Sequence, residues 1–107
     1  LDGTLAHYDW WQGVDKIGAP IPAMVELAKK FMAEGFEIRI VTARVGKAFP
    51  DQVSESYYHI YDWCEDNLGA IVPVTCEKDQ RMVACYDDRI KQVMVNTGII
   101  LEDYLKQ

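Results

Sequence analysis

The stretch FEIRIVT, residues 36–42, is the clearest strand pattern in the chain. Its apolar residues first alternate with charged ones and several are β-branched, both of which are typical of strands. Gly35 is placed to end a helix, since apolar residues recur at helical spacing over residues 21–32. Pro20 and Pro22 stand at the start of that pattern. The sequence therefore predicts a helix followed by a strand.

The same alternation continues towards the C-terminus. Apolar residues at helical spacing predict a second helix, which Asp51 caps and Gly69 ends. AIVPVTC, residues 70–76, is predicted to be an edge strand because Pro73 cannot donate a ladder hydrogen bond. MVACY, residues 82–86, is a nearly uniform apolar run, which predicts a strand covered on both faces.

Two short elements follow, a VMV run at residues 93–95 and a helix over about residues 99–105. Helices that alternate with strands predict an α/β fold, in which helices cover both sides of a parallel sheet. We expect a single domain over residues 1–107, because this length supports one modest hydrophobic core.

Polar residues follow the predicted strands at their carboxyl ends, where the functional residues of parallel sheets collect. These residues are Thr42 and Arg44, then Cys76 to Lys78, then Asp87, Asp88 and Arg89. The turn at residues 2–4, Asp-Gly-Thr, would lie at the same edge if a strand preceded it. Adjacent carboxylates at a strand end repel one another unless a cation is bound, so the clusters together favour a functional site.

Each cluster taken alone also has a purely structural interpretation. Asp2-Gly3 is most often a simple turn, and Asp87-Asp88 is usually a solvated loop or a helix cap. Thr42 could merely end a strand, and Lys78 could be a surface lysine.

Residues 5–19 follow neither a strand period nor a helix period and are predicted to form a long loop. The loop contains Tyr8, Trp10 and Trp11. Core packing is the default role for such large aromatic side chains. Because the loop leaves the predicted site directly, it is also a candidate flap whose rings stack on a base or sugar.

Composition disfavours several classes of protein. A net charge of −6 argues against an extended nucleic-acid-binding face, although single basic residues at strand ends can still bind one phosphate group. No apolar run approaches the roughly 20 residues that span a bilayer, so we expect no membrane partner. Three separated cysteines without a C-x-x-C pair predict reduced thiols in the cytoplasm and lack the clustering that zinc needs.

Four motifs, in order, give the chain a resemblance to the haloacid dehalogenase superfamily of phosphatases. LDGTL supplies all but the leading Asp of the first family motif, Asp-x-Asp-x-Thr after an apolar strand. IRIVT matches the second motif, Lys78 in CEKD the third, and ACYDDR the fourth. The layout is also similar to that of small capless members from phages and bacteria, including the 3′-phosphatase domain of phage polynucleotide kinases.

The resemblance implies a three-layer α/β/α, Rossmann-like parallel sheet without a cap domain. It places the nucleophilic Asp immediately before Leu1 and the central strand of the sheet before that Asp. We therefore expect the working protein to carry roughly five to eight further residues upstream, about one short strand.

The resemblance also implies a function, the magnesium-dependent hydrolysis of phosphomonoesters through a phospho-aspartate. Asp2 would act as general acid and base, Thr42 would bind a phosphoryl oxygen and Lys78 would neutralise charge. Magnesium would be held by the upstream Asp, the backbone carbonyl of Asp2 and Asp88, with Asp87 as a second ligand or its partner. The candidate substrate contacts are Gly3, Thr4, Arg44, Arg89, Trp10 and Trp11.

A site without a cap admits a phosphorylated small molecule or a nucleic-acid end, or it relies on a neighbouring subunit of a homo-oligomer for a lid. One alternative is a non-catalytic relative that binds a metal or a partner through the same fold. Another is a phospho-accepting receiver domain, which also combines an acidic pair, a Thr and a Lys. The order of the motifs argues against a receiver, because the acidic pair here follows the penultimate predicted strand.

Overall fold

Helices and strands alternate along the chain in the predicted order, although the strands are far shorter than expected. The computed structural model of the protein describes residues 1–48 and 50–106. The elements are α1 (Pro22–Ala33), β1 (Ile40–Val41), α2 (Val53–Leu68), β2 (Val74–Thr75) and α3 (Leu101–Leu105). Short 3₁₀ turns lie at Ala43–Val45 and Pro50–Gln52. None of the helices among the described residues is long and apolar enough to cross a membrane.

Local sequence features correctly predict the start of α1 and the ends of α1 and α2. Pro22 is the first residue of α1, where its missing N–H costs no intrahelical hydrogen bond. Gly35 and Gly69 follow α1 and α2 with φ angles of 89° and 76°, a left-handed conformation that glycine adopts without strain. The predicted cap at Asp51 is wrong, because Gln52 is the N-cap of α2 and Asp51 lies in the preceding 3₁₀ turn.

The hydrophobic core is built around one face of α2. Ile60, Trp63, Cys64 and Leu68 are buried at spacings of three and four residues, as an amphipathic helix requires. They pack with Leu5, Ala6, Val25, Ile40, Val45 and Val72. Burial raises the pKa of the Cys64 thiol to about 11, so this thiol stays neutral near pH 7 and behaves as an apolar core group.

The sheet consists of two parallel strands. Ile40 pairs with Val74 and Val41 with Thr75, and the Ile40 N–H donates to the Pro73 carbonyl at 2.8 Å. The predicted strands over residues 36–42 and 70–76 therefore exist, but each is reduced to two residues. Parallel pairing between segments that flank a helix agrees with the predicted α/β class.

Residues 82–86 do not form the predicted buried strand. They lie outside both strands of the sheet, and the side chain of Val83 is 93% exposed. The predicted VMV run at 93–95 contributes a single antiparallel bridge, Val93 with Ile100. Neither of these two runs adds a strand to the described part of the sheet, and in this respect the structure differs from the sequence prediction. Over the described residues the architecture is mixed α/β, with a small two-stranded parallel sheet and three α-helices.

The loop over residues 5–19 forms as predicted and is closed at its base. The His7 N–H donates to the Ala19 carbonyl at 2.8 Å, and Ala6 forms an antiparallel bridge with Pro20. At Gly18 a Cβ would lie only 1.9 Å from the His7 carbonyl oxygen, so the two sides of the loop meet too closely for any other residue. The indole N–H of Trp63 donates to the Gly18 carbonyl and ties the loop to α2.

Candidate functional site

The Asp-Gly-Thr turn lies beside the carboxyl end of β1. The Gly3 N–H donates to the Ala6 carbonyl at 2.8 Å, and the Leu1 carbonyl accepts the N–H of Ala6 at 3.0 Å. The backbone nitrogen of Leu1 donates to the Val41 carbonyl at 3.4 Å. These bonds place residues 1–6 next to β1, the strand that Thr42 follows. The convergence of the polar clusters predicted this arrangement.

The turn also contacts the acidic pair from the C-terminal part of the chain. The Asp88 N–H donates to the Thr4 hydroxyl at 3.0 Å, and that hydroxyl donates to Asp88 Oδ1 at 3.3 Å. Gly3 has a φ of 83°, and a Cβ there would lie 2.8 Å from Asp88 Oδ2. Gly3 is therefore required for two reasons, its left-handed backbone and the close approach of the Asp88 carboxylate. Two of the predicted clusters, residues 2–4 and 87–89, do meet.

Asp2 and Arg44 form a bidentate ion pair. Arg44 Nε donates to Asp2 Oδ2 at 2.7 Å, and Nη2 donates to Asp2 Oδ1 at 2.9 Å. This fork-to-fork geometry is the most specific way in which arginine binds a carboxylate. The family resemblance implied catalysis for Asp2 and a substrate contact for Arg44, and nothing in the sequence indicated that the two side chains bind each other.

Arg44 is enclosed by the loop over residues 5–19. Its Nη2 also donates to the Lys16 carbonyl at 2.9 Å, and its guanidinium carbon lies 4.9 Å from the centre of the Trp11 ring. The residue is only 5% exposed, and its Nη1 is buried without a hydrogen-bond partner among the described residues. Trp11 therefore contacts the site through Arg44, whereas Trp10 is 78% exposed.

Thr42 is buried at the start of the 3₁₀ turn that carries Arg44. Its hydroxyl oxygen accepts the Arg44 N–H at 3.2 Å and so caps this turn. A hydroxyl has one hydrogen to donate besides its lone pairs, so Thr42 can still donate to a phosphoryl oxygen as predicted.

The other predicted site residues lie at the surface. Asp87 Oδ1 accepts the Arg89 N–H at 2.8 Å, so the Asp87 carboxylate is used within its own turn, and both residues are exposed. Asp88, by contrast, reaches the Asp-Gly-Thr turn, which makes it the better placed of the two as a metal ligand. Lys78 is exposed and lines the same cleft as Thr4.

The cleft beside β1 encloses about 460 Å³. It is lined by residues 36–41, by apolar side chains of α1, by Leu1 and by residues 82–86. Arg39 binds Glu37 and Asp79 at its rim, and these carboxylates raise the pKa of the guanidinium. The Arg81 N–H and Arg39 lower the pKa of Asp79. The mainly apolar lining suits a peptide segment better than a phosphate group.

Oxygen donors for a hard divalent cation are present at the Asp-Gly-Thr turn. The Asp88 carboxylate lies against Gly3, next in sequence to the Asp2 carbonyl, and carboxylate and carbonyl oxygens are the ligands that magnesium prefers. Among residues 1–48 and 50–106, no three acidic, histidine or cysteine side chains are grouped closely enough to hold a metal ion. A magnesium site here would therefore combine Asp88, the Asp2 carbonyl and a further ligand.

Comparison of the chain with protein-family models, with curated proteins and with solved structures found no match. The chemistry open to this site therefore follows from its own geometry. A carboxylate held by a buried guanidinium, a second carboxylate across a glycine, and a buried hydroxyl are groups that can transfer protons and bind a cation or a phosphate.

Proposed function

We propose that the protein is a magnesium-dependent phosphomonoester hydrolase of the haloacid dehalogenase type, acting through a phospho-aspartate on an Asp immediately before Leu1. One observation carries this proposal. Asp88, which is remote in sequence, is hydrogen-bonded to Thr4 and lies against Gly3, so it contacts the Asp-Gly-Thr turn that contains Asp2. That is the pairing of first and fourth motifs on which the chemistry depends.

Asp2 would move the proton in both halves of the reaction. The upstream carboxylate attacks phosphorus, and the ester oxygen leaves with the proton that Asp2 donates. Water then attacks the phosphorus of the phospho-aspartate and gives its proton to Asp2, which releases phosphate and restores the enzyme. The hydroxyl of Thr42 would donate to a phosphoryl oxygen, and Lys78 would offset negative charge from the cleft.

Magnesium would be held by Asp88, by the backbone carbonyl of Asp2 and by the upstream Asp, with Asp87 outside the direct ligands. When bound, the ion offsets the charge of the phosphate and of the nucleophile. The role of the chain is to place these oxygens. Gly3 permits the approach of Asp88, and Thr4 fixes it with two hydrogen bonds.

The cleft supports the proposal of a larger parallel sheet within a three-layer α/β/α fold. In a parallel ladder the N–H groups of Ile40 and Thr42 point to β2, so the backbone groups of Arg39 and Val41 face the opposite edge, where both residues line the cleft. We propose that the segment preceding Leu1 lies there as a parallel strand. It would cover the exposed apolar run 82–86 and bring its last residue beside Val41.

The substrate class follows from the openness of the site. Asp88, Lys78 and Arg89 are exposed, so a phosphorylated small molecule or the end of a nucleic acid could approach them. Trp10 could stack on a sugar or base, because its ring is exposed beside the site. A homo-oligomer in the cytoplasm, with a neighbouring subunit as lid, is consistent with this proposal, and an extended nucleic-acid face remains disfavoured by the net charge of −6.

The first experiment measures phosphate release by the protein together with the residues that precede Leu1. Substrates are an aryl phosphate, nucleoside 3′- and 5′-monophosphates and a DNA 3′-phosphate, each with magnesium or with chelator. Asp88→Asn should lower kcat/KM by at least about 100-fold, since removal of a charged group at the reacting centre costs several kcal/mol. Asp103→Asn, at an exposed position of α3, is the matched control and should leave the rate unchanged.

A second function, non-catalytic binding of a metal or a partner by the same fold, is favoured by one observation. Both oxygens of Asp2 are occupied by Arg44, as in a structural ion pair. Magnesium binding that Asp88→Asn abolishes, with no turnover of any ester, would support this second function and contradict the first.

A further inference from the structure

Arg44 has contacts that a phosphate-binding residue does not need. Two of its nitrogens donate to the carboxylate of Asp2, and one of these also donates to the Lys16 carbonyl. The Trp11 ring covers the guanidinium at 4.9 Å. The residue is 95% buried, so a phosphate arriving from solvent would have to displace both the loop and Asp2 before binding it.

We propose that Arg44 is a positioning residue, which holds the Asp2 carboxylate in the orientation needed for proton transfer and couples that orientation to the loop over residues 5–19. This inference rests on the proposed function, because it assigns Asp2 the transfer of the proton. It replaces the expected contact between Arg44 and the substrate with a contact to the general acid.

The geometry explains why a guanidinium is suited to this role. Its two parallel N–H groups fix the plane of the carboxylate, which leaves each oxygen with a lone pair directed away from Arg44. A proton is transferred efficiently only when donor and acceptor are well aligned, and a displacement of about 1 Å can cost about 100-fold in rate. A lysine ammonium supplies the charge without the fork, so it cannot fix that plane.

The loop reaches the side chain of Asp2 through Arg44 in the contacts described, while Ala6 of the loop pairs with the backbone of Asp2. Lys16 contributes its backbone carbonyl and Trp11 its ring, and both hold the guanidinium from the side of the loop. The loop is itself closed at its base by the bond from His7 to Ala19. Substitution of Trp11 should therefore slow proton transfer by a smaller factor than substitution of Arg44.

The decisive experiment compares Arg44→Lys with Lys106→Arg, on an alkyl phosphate and on an activated aryl phosphate. Lys106 also binds a carboxylate, that of Glu102, but at the surface and outside the site. An alkoxide leaving group needs the proton from Asp2 far more than a stabilised phenolate does. We expect Arg44→Lys to lower kcat about 10- to 100-fold on the alkyl ester, much less on the aryl ester, and to leave both KM values unchanged. Lys106→Arg should match the wild type.

Other results overturn the inference in distinguishable ways. A raised KM with unchanged kcat on both esters would return Arg44 to phosphate binding. An equal loss on both esters, with a lowered melting temperature, would make the pair merely structural. Trp11→Leu should lower kcat on the alkyl ester selectively, and a raised KM instead would indicate that Trp11 stacks on the substrate. No turnover by the wild-type protein on any ester would overturn the proposed function itself, and the role of Arg44 with it.

Discussion

The part of the chain before residue 76 and the part after it differ in how far their side chains are buried. Every buried hydrophobic residue of the core lies between Leu5 and Val72, and α1, α2 and the sheet all belong to this part. After Thr75 the described residues are mostly exposed, including Val83, Val95 and Leu105. The later part nevertheless carries Asp88 and Lys78. Its position at the site thus depends on a few contacts, above all the hydrogen bonds between Thr4 and Asp88. The rings of Phe31 and Tyr86 also pack together, with centroids 6.0 Å apart.

The hydrophobic core and the candidate site therefore draw on different parts of the chain. No member of the core comes from residues 76–106. The candidate site, by contrast, includes Asp88 from that part of the chain. If the segment before Leu1 enters the cleft, it would bury apolar side chains of residues 82–86, which belong to the later part. It would also contact the earlier part and so link the two.

The free energy of unfolding should change most when one isoleucine of the core is truncated, and an isoleucine of the later part is the comparison. Ile60 is completely buried, so Ile60→Ala should lower the free energy of unfolding by roughly 2–5 kcal/mol through lost contacts and a cavity. Ile90 is exposed, so Ile90→Ala should change it by less than about 0.5 kcal/mol. Urea denaturation followed by circular dichroism measures both. Equal destabilisation by the two substitutions would show that the later part is as well packed as the core.

A smaller effect compares two glycines with similar left-handed backbones. Gly3→Ala adds a Cβ that would lie 2.8 Å from Asp88 Oδ2, whereas at Gly98 a Cβ would meet nothing within 4 Å. Gly98→Ala should therefore cost only the backbone strain, about 1 kcal/mol, and Gly3→Ala up to about 3 kcal/mol. Chemical denaturation gives both values. Gly3→Ala should also weaken magnesium binding in titration calorimetry, and a variant that binds magnesium normally would contradict the placement of Asp88.

The helices could be predicted from sequence because their ends are set by local features. Pro22, Gly35 and Gly69 act within one turn of themselves, and the structure confirms each. The strands could not be predicted to the same degree, because the length of a strand depends on its partner. Residues 82–86 have the composition of a buried strand, yet the cleft lies where a partner would pair.

The site was predictable in outline and not in its connections. The rule that polar residues gather at the carboxyl ends of strands predicted that these clusters would meet, and bonds do join Arg44 to Asp2 and Asp88 to Thr4. The pairing of Asp2 with Arg44 depends on a capped 3₁₀ turn that aims one side chain across the site. No spacing in the sequence encodes that direction. Lys16 contacts Arg44 through its backbone carbonyl. Every residue has this group, so the residue type could not indicate the contact.

The proposed role of Asp2 requires a phospho-aspartate intermediate, and this intermediate can be trapped. The protein with its upstream residues would be mixed with an activated aryl phosphate carrying labelled phosphate and quenched in acid, as wild type and as Asp2→Asn. An amide cannot take the proton from the attacking water, and an activated leaving group needs no proton to depart. We predict that labelled phosphate accumulates on Asp2→Asn, close to one per chain, and is released by hydroxylamine. Release of free phosphate by Asp2→Asn at the wild-type rate, with no label on the protein, would contradict the account.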